Sequence, residues 1–310
     1  MNELPRITLI TLVKNAANTI ERTLQSISVQ TYPNIEYIVL DAASTDGTVE
    51  IIRRYEKHIT YFHSKPDKGS YDAAEQALKL VTGDIFGYVA GDDWLSANAA
   101  QIIVDLYKNA PTARIFSFGM LEYQQYESDR FYPIAYHNMP SQPHFSLKDS
   151  IFSHGSSFFY HKDLIKDQMF YKTDRYPKYA DKELYVRLGL MNLPRAHTPE
   201  ILYFFRRHAS SVSSNGSRQS ICNVLQEHSA IAEDLLSSTH ILPEQRKQIQ
   251  HWYCFVQLRH LYFMIRLGKY RQALQTTAFL LRNHLLLMVT GMTSLKAPSG
   301  YKFKIMRKLT

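Results

Sequence analysis

Two adjacent carboxylates, Asp92 and Asp93, follow an apolar stretch over residues 85–90, from which Gly91 separates them. Acidic side chains that close a buried strand are costly unless a cation or water satisfies them. Hard oxygen ligands suit Mg²⁺ or Mn²⁺, which keep several waters and take further ligands from a substrate phosphate. The pair therefore suggests a metal site for a phosphate-bearing substrate, although an isolated Asp-Asp pair also caps helices.

Polar residues also follow the other apolar runs of the first hundred residues. Asn15 follows the run over residues 7–13, Asp41 follows the run over 35–40, and Asp67 with Lys68 follows the run over 59–63. Ligands of an open α/β sheet bind beyond the carboxyl ends of its strands, so these side chains are expected at one edge. Each alone is better explained by a helix cap or a turn, but their recurrence favours a ligand site.

The order of the elements predicts an α/β fold. The apolar runs alternate with helical patterns, an order that predicts a mostly parallel, Rossmann-like sheet flanked by helices. The pattern loosens after Trp94 into Tyr- and Phe-rich strands and loops, and becomes helical from Ser220. Residues 252–281 predict two amphipathic helices joined near Gly268. We predict one domain over residues 1–217, divided near residue 94, and a helical C-terminal extension over residues 218–310.

The first turn excludes two common nucleotide-binding loops. Residues 13–18 contain no glycine, so the close pyrophosphate approach of the G-x-G-x-x-G loop of dehydrogenases is not available. The chain also lacks a G-x-x-x-x-G-K-[ST] loop, and its first loop lacks the glycine and basic residues that a nucleotidyltransferase normally needs. A divalent cation held by carboxylate is the obvious candidate to neutralise a bound diphosphate.

Residues 5–215 resemble the family 2 glycosyltransferases, which have the GT-A fold. The segments that carry the resemblance are Thr11 and Asn15, Ser26 with Gln30–Asn34, Ile38–Asp41, Ser44–Thr48, Lys68–Ala73 and Gly83–Asp84. The Lys-Gly-x-Tyr-Asp-Ala run is similar to the branch that builds bacterial surface polysaccharides. The resemblance implies that residues 1–94 bind a nucleotide-diphosphate sugar, that residues 95–217 form the acceptor-side half, and that Mn²⁺ or Mg²⁺ is the cofactor.

The resemblance also implies roles for the residues at the sheet edge. Asp41 is expected to bond a uracil or thymine ring, Thr11 and Asn15 to contact the donor, and Asp67 and Lys68 to lie beside the base or ribose.

Asp92 matches the second acid of the D-x-D metal motif of the family, and the adjacent Asp93 is a second metal candidate. The first acid of the motif is replaced by Ala90, which puts metal affinity in question.

Asp181 is the predicted catalytic base, because Tyr179–Arg187 resembles the E-D-x-D-L-W-x-R segment of the family. An acceptor hydroxyl is a poor nucleophile until a positioned carboxylate removes its proton. Asp181 also stands where it would cap the helix running to Leu190, and the two roles are compatible. Glu183 is the alternative acid on the acceptor side.

Two further segments carry candidate residues with weaker signals. His154 resembles an acceptor-side histidine of the family, although a lone histidine is more often a structural hydrogen-bonder. Arg206, Arg207 and His208, with Ser213, resemble a basic loop near the leaving diphosphate, where arginines would offset developing charge. A solvated charge run is the other interpretation.

The basic charge is concentrated in the tail. Residues 241–310 hold twelve Lys and Arg and one acid, a net charge of +11, against −3 for residues 1–240 and +8 for the chain. Nucleic-acid binding would place this charge around the main cleft, so no nucleic-acid partner is expected. A solvated helical face or docking on anionic membrane explains the tail equally well.

The prediction from sequence is an inverting glycosyltransferase, peripheral at the cytoplasmic face of a membrane, that acts on a glycan or lipid-linked acceptor. A cytosolic location fits the two widely spaced cysteines, Cys222 and Cys254, and no transmembrane segment is predicted. The alternative is a catalytically silent relative that binds the nucleotide sugar or acts as a scaffold.

Overall fold

The computed structural model describes residues 4–127, 130–152, 155–167, 171–208, 218–278 and 280–282. Its centre is a ten-stranded sheet with the order β3-β2-β1-β4-β9-β6-β10-β5, in which β7 also pairs with β6 and β8 with β10. The α/β prediction is confirmed.

The first four strands are parallel, as predicted, and helices connect them. They are β1 (Ile7–Val13), β2 (Ile35–Asp41), β3 (Tyr61–Ser64) and β4 (Ile85–Tyr88), with helices α1 (Ile20–Ser28), α2 (Thr48–Arg54) and α3 (Ser70–Leu78) between them. Gly87 of β4 is required by packing, because a Cβ there would lie 1.2 Å from Cδ1 of Phe159 on the neighbouring strand.

The second half of the sheet is mixed. Its elements are β5 (Trp94–Leu95), α4 (Ala99–Asn109), β6 (Ile115–Glu127), β7 (Arg130–His137), β8 (His144–Phe145), α5 (Leu147–Phe152), β9 (Phe158–His161), α6 (Leu164–Asp167), α7 (Ala180–Leu190) and β10 (Leu193–Arg207). Strand β9 runs antiparallel to β4 and β6, whereas β10 runs parallel to β6. The loosened pattern after Trp94 reflects this change of strand direction.

Each face of the sheet is covered by its own set of helices. Helices α1 and α4 pack on one face with residues such as Leu24 and Ile103, and α3 and α7 pack on the other with residues such as Leu78 and Leu184. The sheet is therefore buried on both sides, which explains the continuous apolar character of β1 and β2.

The C-terminal extension packs against α5 and α7 in the second half of the domain. It contains α8 (Arg218–Ser237), α9 (Pro243–Arg266) and a helical segment over residues 270–278, and Gly268 with a φ of +74° lies at the predicted break. Leu225 and Trp252 of the extension share an apolar cluster with Leu147 and Val186 of α5 and α7. Among the described helices, none combines the length and apolar character that a membrane-spanning segment requires.

Candidate functional site

Asp41 ends β2 at the carboxyl edge of the sheet, where it is 1% exposed. Its carboxylate accepts hydrogen bonds from the backbone N–H of Ser44 (2.9 Å), the hydroxyl of Ser44 (2.5 Å) and the hydroxyl of Ser64 (2.6 Å). Three donors hold the carboxylate in one orientation at this edge.

The loops after β1 and β2 are tied together around Asn15. Its backbone N–H donates to the hydroxyl of Ser44 at 2.7 Å, and its Oδ1 accepts the N–H of Thr45 at 3.0 Å. Asn15 has a φ of +49°, a left-handed conformation that asparagine adopts more readily than most residues. The structure therefore shows Asn15 as a brace that positions the loop carrying Ser44, next to Asp41.

Thr11 lies inside the sheet and is fully buried. Its hydroxyl is bonded to the Tyr37 hydroxyl (2.9 Å) and donates to the Val89 carbonyl (2.9 Å). The arrangement gives no support to a nucleoside contact by Thr11, because its hydroxyl is fully buried and donates its proton to the Val89 carbonyl.

Asp67 and Lys68 form the turn that begins α3. Oδ1 of Asp67 accepts the N–H of Gly69 at 2.9 Å, and the N–H of Lys68 donates to Asp72 at 3.0 Å. The Lys68 side chain is exposed. These contacts place both residues beside the same sheet edge as Asp41, because β3 pairs with β2 up to Ser64 opposite Asp41.

The two adjacent acids after β4 have different environments. Asp93 is 1% exposed, and its carboxylate accepts hydrogen bonds from the Tyr203 hydroxyl (2.7 Å) and the Arg206 N–H (2.8 Å). Burial, and then the neighbouring Asp92, raise the pKa of Asp93 well above its usual range. The metal role predicted for Asp93 finds no support in this arrangement, because both oxygens join the β4–β5 turn to β10.

Asp92 is more accessible and faces a histidine. Its Oδ2 lies 3.0 Å from Nε2 of His208, and the two side chains are 31% and 18% exposed. Sequence reasoning placed His208 only in a basic loop and missed this pair, because 116 residues separate the two. Carboxylate and imidazole are both ligands for Mn²⁺, so the pair fits a divalent cation.

Protein ligands alone would not complete the coordination of such a cation. Within the described residues there is no group of three or more His, Cys, Asp or Glu side chains that could hold a metal. A metal bound by Asp92 and His208 would therefore take its remaining ligands from water and substrate phosphate, as Mg²⁺ commonly does in phosphate-binding sites.

The two arginines that end β10 make different contacts and differ in exposure. Arg207 pairs through its Nε with Glu122 of β6 and remains 45% exposed. Arg206 is 2% exposed and lies over the rings of Trp94 and Phe131. Burial and the nearby Arg22 lower the pKa of Arg206, and the carboxylates at positions 92 and 93 act in the opposite direction.

Asp181 lies in the first turn of α7, where its carboxylate is partly buried. Its Oδ1 accepts the Tyr71 hydroxyl (3.0 Å) and the N–H of Lys182 (2.9 Å). Among the described residues, no hydrogen bond reaches Oδ2. Burial raises the pKa of Asp181, while the bond from Tyr71 works to lower it. The geometry suits a base, with one oxygen fixed and the other available.

The other two candidates predicted for the acceptor side are Glu183 and His154. Glu183 is 3% exposed, and its carboxylate pairs with Lys172 (2.6 Å) and Arg187 (2.9 Å). Both oxygens serve these internal ion pairs, so the arrangement favours a structural role over that of a base. His154 lies outside the described residues.

The carboxyl ends of the parallel strands thus carry acidic side chains and an Asp–His pair, at the edge where open α/β sheets bind their ligands. The chain belongs to glycosyl transferase family 2, whose model matches residues 8–168.

An uncharacterized glycosyltransferase of Mycobacterium tuberculosis is 32% identical over 123 residues, which cover 39% of this chain. The chain thus spans about half (47%) of the length of that relative. The Escherichia coli UDP-Glc:alpha-D-GlcNAc-diphosphoundecaprenol beta-1,3-glucosyltransferase WfaP is 26% identical over 228 residues, covering 71% of this chain and 85% of WfaP.

Solved structures show the same fold at lower identity. TarS of Staphylococcus aureus, in complex with UDP-GlcNAc, superimposes with a TM-score of 0.63 at 17% identity, covering 83% of this chain and 73% of TarS. The mannosyltransferase PcManGT of Pyrobaculum calidifontis, in complex with GDP-Man and Mn²⁺, superimposes with a TM-score of 0.60 at 18% identity. The match covers 94% of this chain and 81% of PcManGT. Both likenesses support the GT-A architecture.

Proposed function

We propose that this protein is an inverting glycosyltransferase that transfers a sugar from a UDP- or dTDP-sugar to a glycan or lipid-linked acceptor in surface polysaccharide biosynthesis. The observation that carries the proposal is the Asp181 carboxylate, which is fixed through Oδ1 and whose Oδ2 receives no hydrogen bond from the described residues. Its raised pKa suits a group that must accept a proton during turnover.

The proposed reaction is a single in-line displacement. The acceptor oxygen forms a bond to the anomeric carbon as the bond from that carbon to the donor phosphate breaks, which inverts the configuration. Oδ2 of Asp181 takes the acceptor proton, and the nucleoside diphosphate leaves with the electron pair. Asp92 and His208 would hold a divalent cation, and when bound that cation stabilises the charge on the leaving diphosphate.

Donor selection is assigned to the edge that carries Asp41. A carboxylate fixed by Ser44 and Ser64 keeps an acceptor position for a ring N–H, which uracil and thymine both offer. The name of WfaP gives UDP-Glc as its donor and a diphosphoundecaprenol-linked sugar as its acceptor, and TarS is known with UDP-GlcNAc. These names support a uridine donor and a lipid-linked acceptor here.

The test is donor binding and hydrolysis across UDP-, dTDP- and GDP-sugars, with and without Mn²⁺. We expect Mn²⁺-dependent release of UDP or dTDP by the wild-type protein and its loss in Asp181→Asn. Release of GDP alone would contradict the donor assignment.

A catalytically silent relative remains the second candidate, favoured by Ala90 at the first acid of the metal motif. Tight binding of a nucleotide sugar without release, even with membrane extract as acceptor, would support it.

Residues 241–310 are proposed to dock the enzyme on anionic membrane. Large apolar side chains of this region are exposed beside basic ones: Tyr262, Ile265, Tyr270 and Leu274 lie near Arg259, Arg266 and Arg271 in sequence. Each basic residue near an anionic surface contributes about 1 kcal/mol. Removing the extension would strip apolar cover from α5 and α7, so the test uses charge substitutions in the full chain.

The triple variant Arg259→Gln, Arg266→Gln, Arg271→Gln should lose binding to vesicles of anionic lipid at low salt. The matched control, Arg53→Gln, Lys57→Gln, Lys79→Gln, removes the same charge from exposed sites elsewhere and should bind normally. Equal loss in both variants would mean that net charge, rather than this region, drives the association.

A further inference from the structure

Two arginines from distant parts of the chain share one pair of aromatic rings. The guanidinium carbon of Arg22, on α1, is 3.8 Å from the ring centroid of Trp94 and 4.7 Å from that of Phe131. Arg206, on β10, lies 5.4 Å and 5.1 Å from the same centroids. We call these four residues the Arg22–Arg206 cluster.

Among the described residues, neither guanidinium makes a direct ion pair with a carboxylate. Arg206 is 2% exposed, its buried Nε has no hydrogen bond, and within the described residues its guanidinium makes no ion pair. Arg22 likewise makes no side-chain hydrogen bond or ion pair to any described residue. Arg206 is removed from water, and cation–π contacts offset only part of that cost, while the like charges of Arg22 and Arg206 repel each other. An anion bound between them would relieve both penalties.

The cluster borders the proposed metal site. The N–H of Arg206 donates to Asp93, and the hydroxyl of Thr23, next to Arg22 in the chain, donates to the Asp93 carbonyl at 2.6 Å. His208, two residues beyond Arg206, contacts Asp92. Both carboxylate oxygens of Asp93 accept hydrogen bonds, from the Arg206 N–H and the Tyr203 hydroxyl, so Asp92 and Asp93 act on the Arg206 guanidinium by their charge and, among the described residues, not through a direct ion pair.

We propose that Arg22 and Arg206 together bind a phosphate-bearing group of the substrates beside Asp92. A planar guanidinium matches phosphate oxygens in a bidentate geometry, and two of them suit a diphosphate. The inference rests on the proposed function, in which a diphosphate occurs on the nucleotide donor and on a lipid-linked acceptor. It adds Arg22, a residue of α1 outside the motifs of the donor site.

The test uses Arg22→Gln in the full chain, because Arg22 is exposed and its loss opens no core. Arg53→Gln on α2, also exposed, is the matched control. Calorimetry with Mn²⁺ measures the affinity of each variant for UDP, for uridine, and for farnesyl diphosphate added to the UDP-saturated protein. Arg206→Lys, which keeps the charge but loses the planar fork, is the second variant.

We expect Arg22→Gln to weaken binding of a diphosphate probe by about tenfold or more, the size of one lost charge-assisted hydrogen bond, and to leave uridine binding unchanged. A loss confined to UDP assigns the site to the donor, and a loss confined to farnesyl diphosphate assigns it to the acceptor. Arg206→Lys should show the same pattern, and Arg53→Gln should match the wild type.

The proposal is overturned if Arg22→Gln binds both diphosphates like the wild type, if uridine binding falls equally, or if the wild type binds neither diphosphate. All of these readouts are equilibrium affinities. The proposed function fails separately, when the wild type binds donor but releases no nucleoside diphosphate.

Discussion

The Tyr71 hydroxyl donates a hydrogen bond to Oδ1 of Asp181 at 3.0 Å and also lies 2.9 Å from the Lys178 carbonyl. Tyr71 belongs to the first turn of α3, in the half of the domain expected to bind the donor, whereas Asp181 begins α7 on the acceptor side. A single bond therefore couples the donor half to the proposed base. It also stabilises the ionised carboxylate against the cost of its burial.

Tyr71→Phe should slow turnover with donor affinity unchanged. Without the phenol, the pKa of Asp181 rises further, so the acid limb of the pH–rate profile should move to higher pH. The measurement is kcat against pH, alongside UDP affinity. Tyr61→Phe, which alters an exposed tyrosine on β3, serves as the control. An acid limb that stays in place would show that Tyr71 does not act on the base.

Much of the fold could be predicted from sequence, because β1, β2 and β4 are mostly apolar and are separated by helical patterns. The edge residues Asp41 and Asp92 could be found for the same reason, since Asp41 ends β2 and Asp92 lies four residues after the last residue of β4. The residue pairs that complete the site could not be predicted from sequence. Asp92–His208 and Tyr71–Asp181 join residues 116 and 110 positions apart.

The structural roles of Asp93 and Glu183 could not be predicted from sequence. Asp93 is adjacent to Asp92, Glu183 lies two residues after Asp181, and each carries the same carboxyl group as its neighbour. Their partners, Tyr203 for Asp93 and Lys172 for Glu183, lie on other segments and become visible only when the sheet and α7 are assembled.

The pKa of Asp181 sets a pH dependence with a definite sign. Burial raises this pKa above the ordinary value of 3.8, and a base must be ionised to act. Activity should therefore be lost as pH falls through the raised pKa, and the profile of kcat/KM should show an acid limb above pH 3.8. Asp181→Asn should lower kcat by about 10²–10⁴-fold at pH 7 and leave UDP affinity intact.

The same shift predicts a gain in stability for Asp181→Asn. The folded-state pKa of Asp181 lies above its unfolded value, so this group ionises first in the unfolded chain as pH rises. The free energy of unfolding therefore falls as pH rises between the two pKa values, and it stays lower above them. Asparagine is neutral at every pH and still accepts the Tyr71 bond. The variant should unfold at a higher temperature at pH 7 and lose this advantage below the unfolded pKa. An unchanged midpoint at pH 7 would contradict the raised pKa.

Glu183→Gln should destabilise the protein. The buried carboxylate pairs with Lys172 and Arg187, and removing its charge takes one ion pair away from each of these two cations. Breaking a buried pair is costly, and since Lys172 is half exposed we expect a loss of about 2 kcal/mol in the free energy of unfolding. Urea denaturation of Glu183→Gln and of Glu50→Gln, an exposed acid on α2, measures the difference. If instead turnover fell a thousandfold with stability unchanged, Glu183 would replace Asp181 as the candidate base.

Asp92→Asn and His208→Ala should each remove the dependence of donor binding on Mn²⁺. Both residues are proposed to hold the cation that carries the donor diphosphate, so each variant should bind UDP equally with Mn²⁺ and with EDTA, at the weaker affinity of the metal-free wild type. Uridine, which has no diphosphate, should bind all forms alike. Asp105→Asn changes an exposed acid on α4 whose carboxylate is hydrogen-bonded only to Gln101 among the described residues, and it should retain the Mn²⁺ effect.

If only Asp92→Asn loses the effect, His208 orients the carboxylate through their 3.0 Å contact instead of binding the metal. Retention of the effect in both variants would place the cation elsewhere and remove Asp92 from the proposed mechanism.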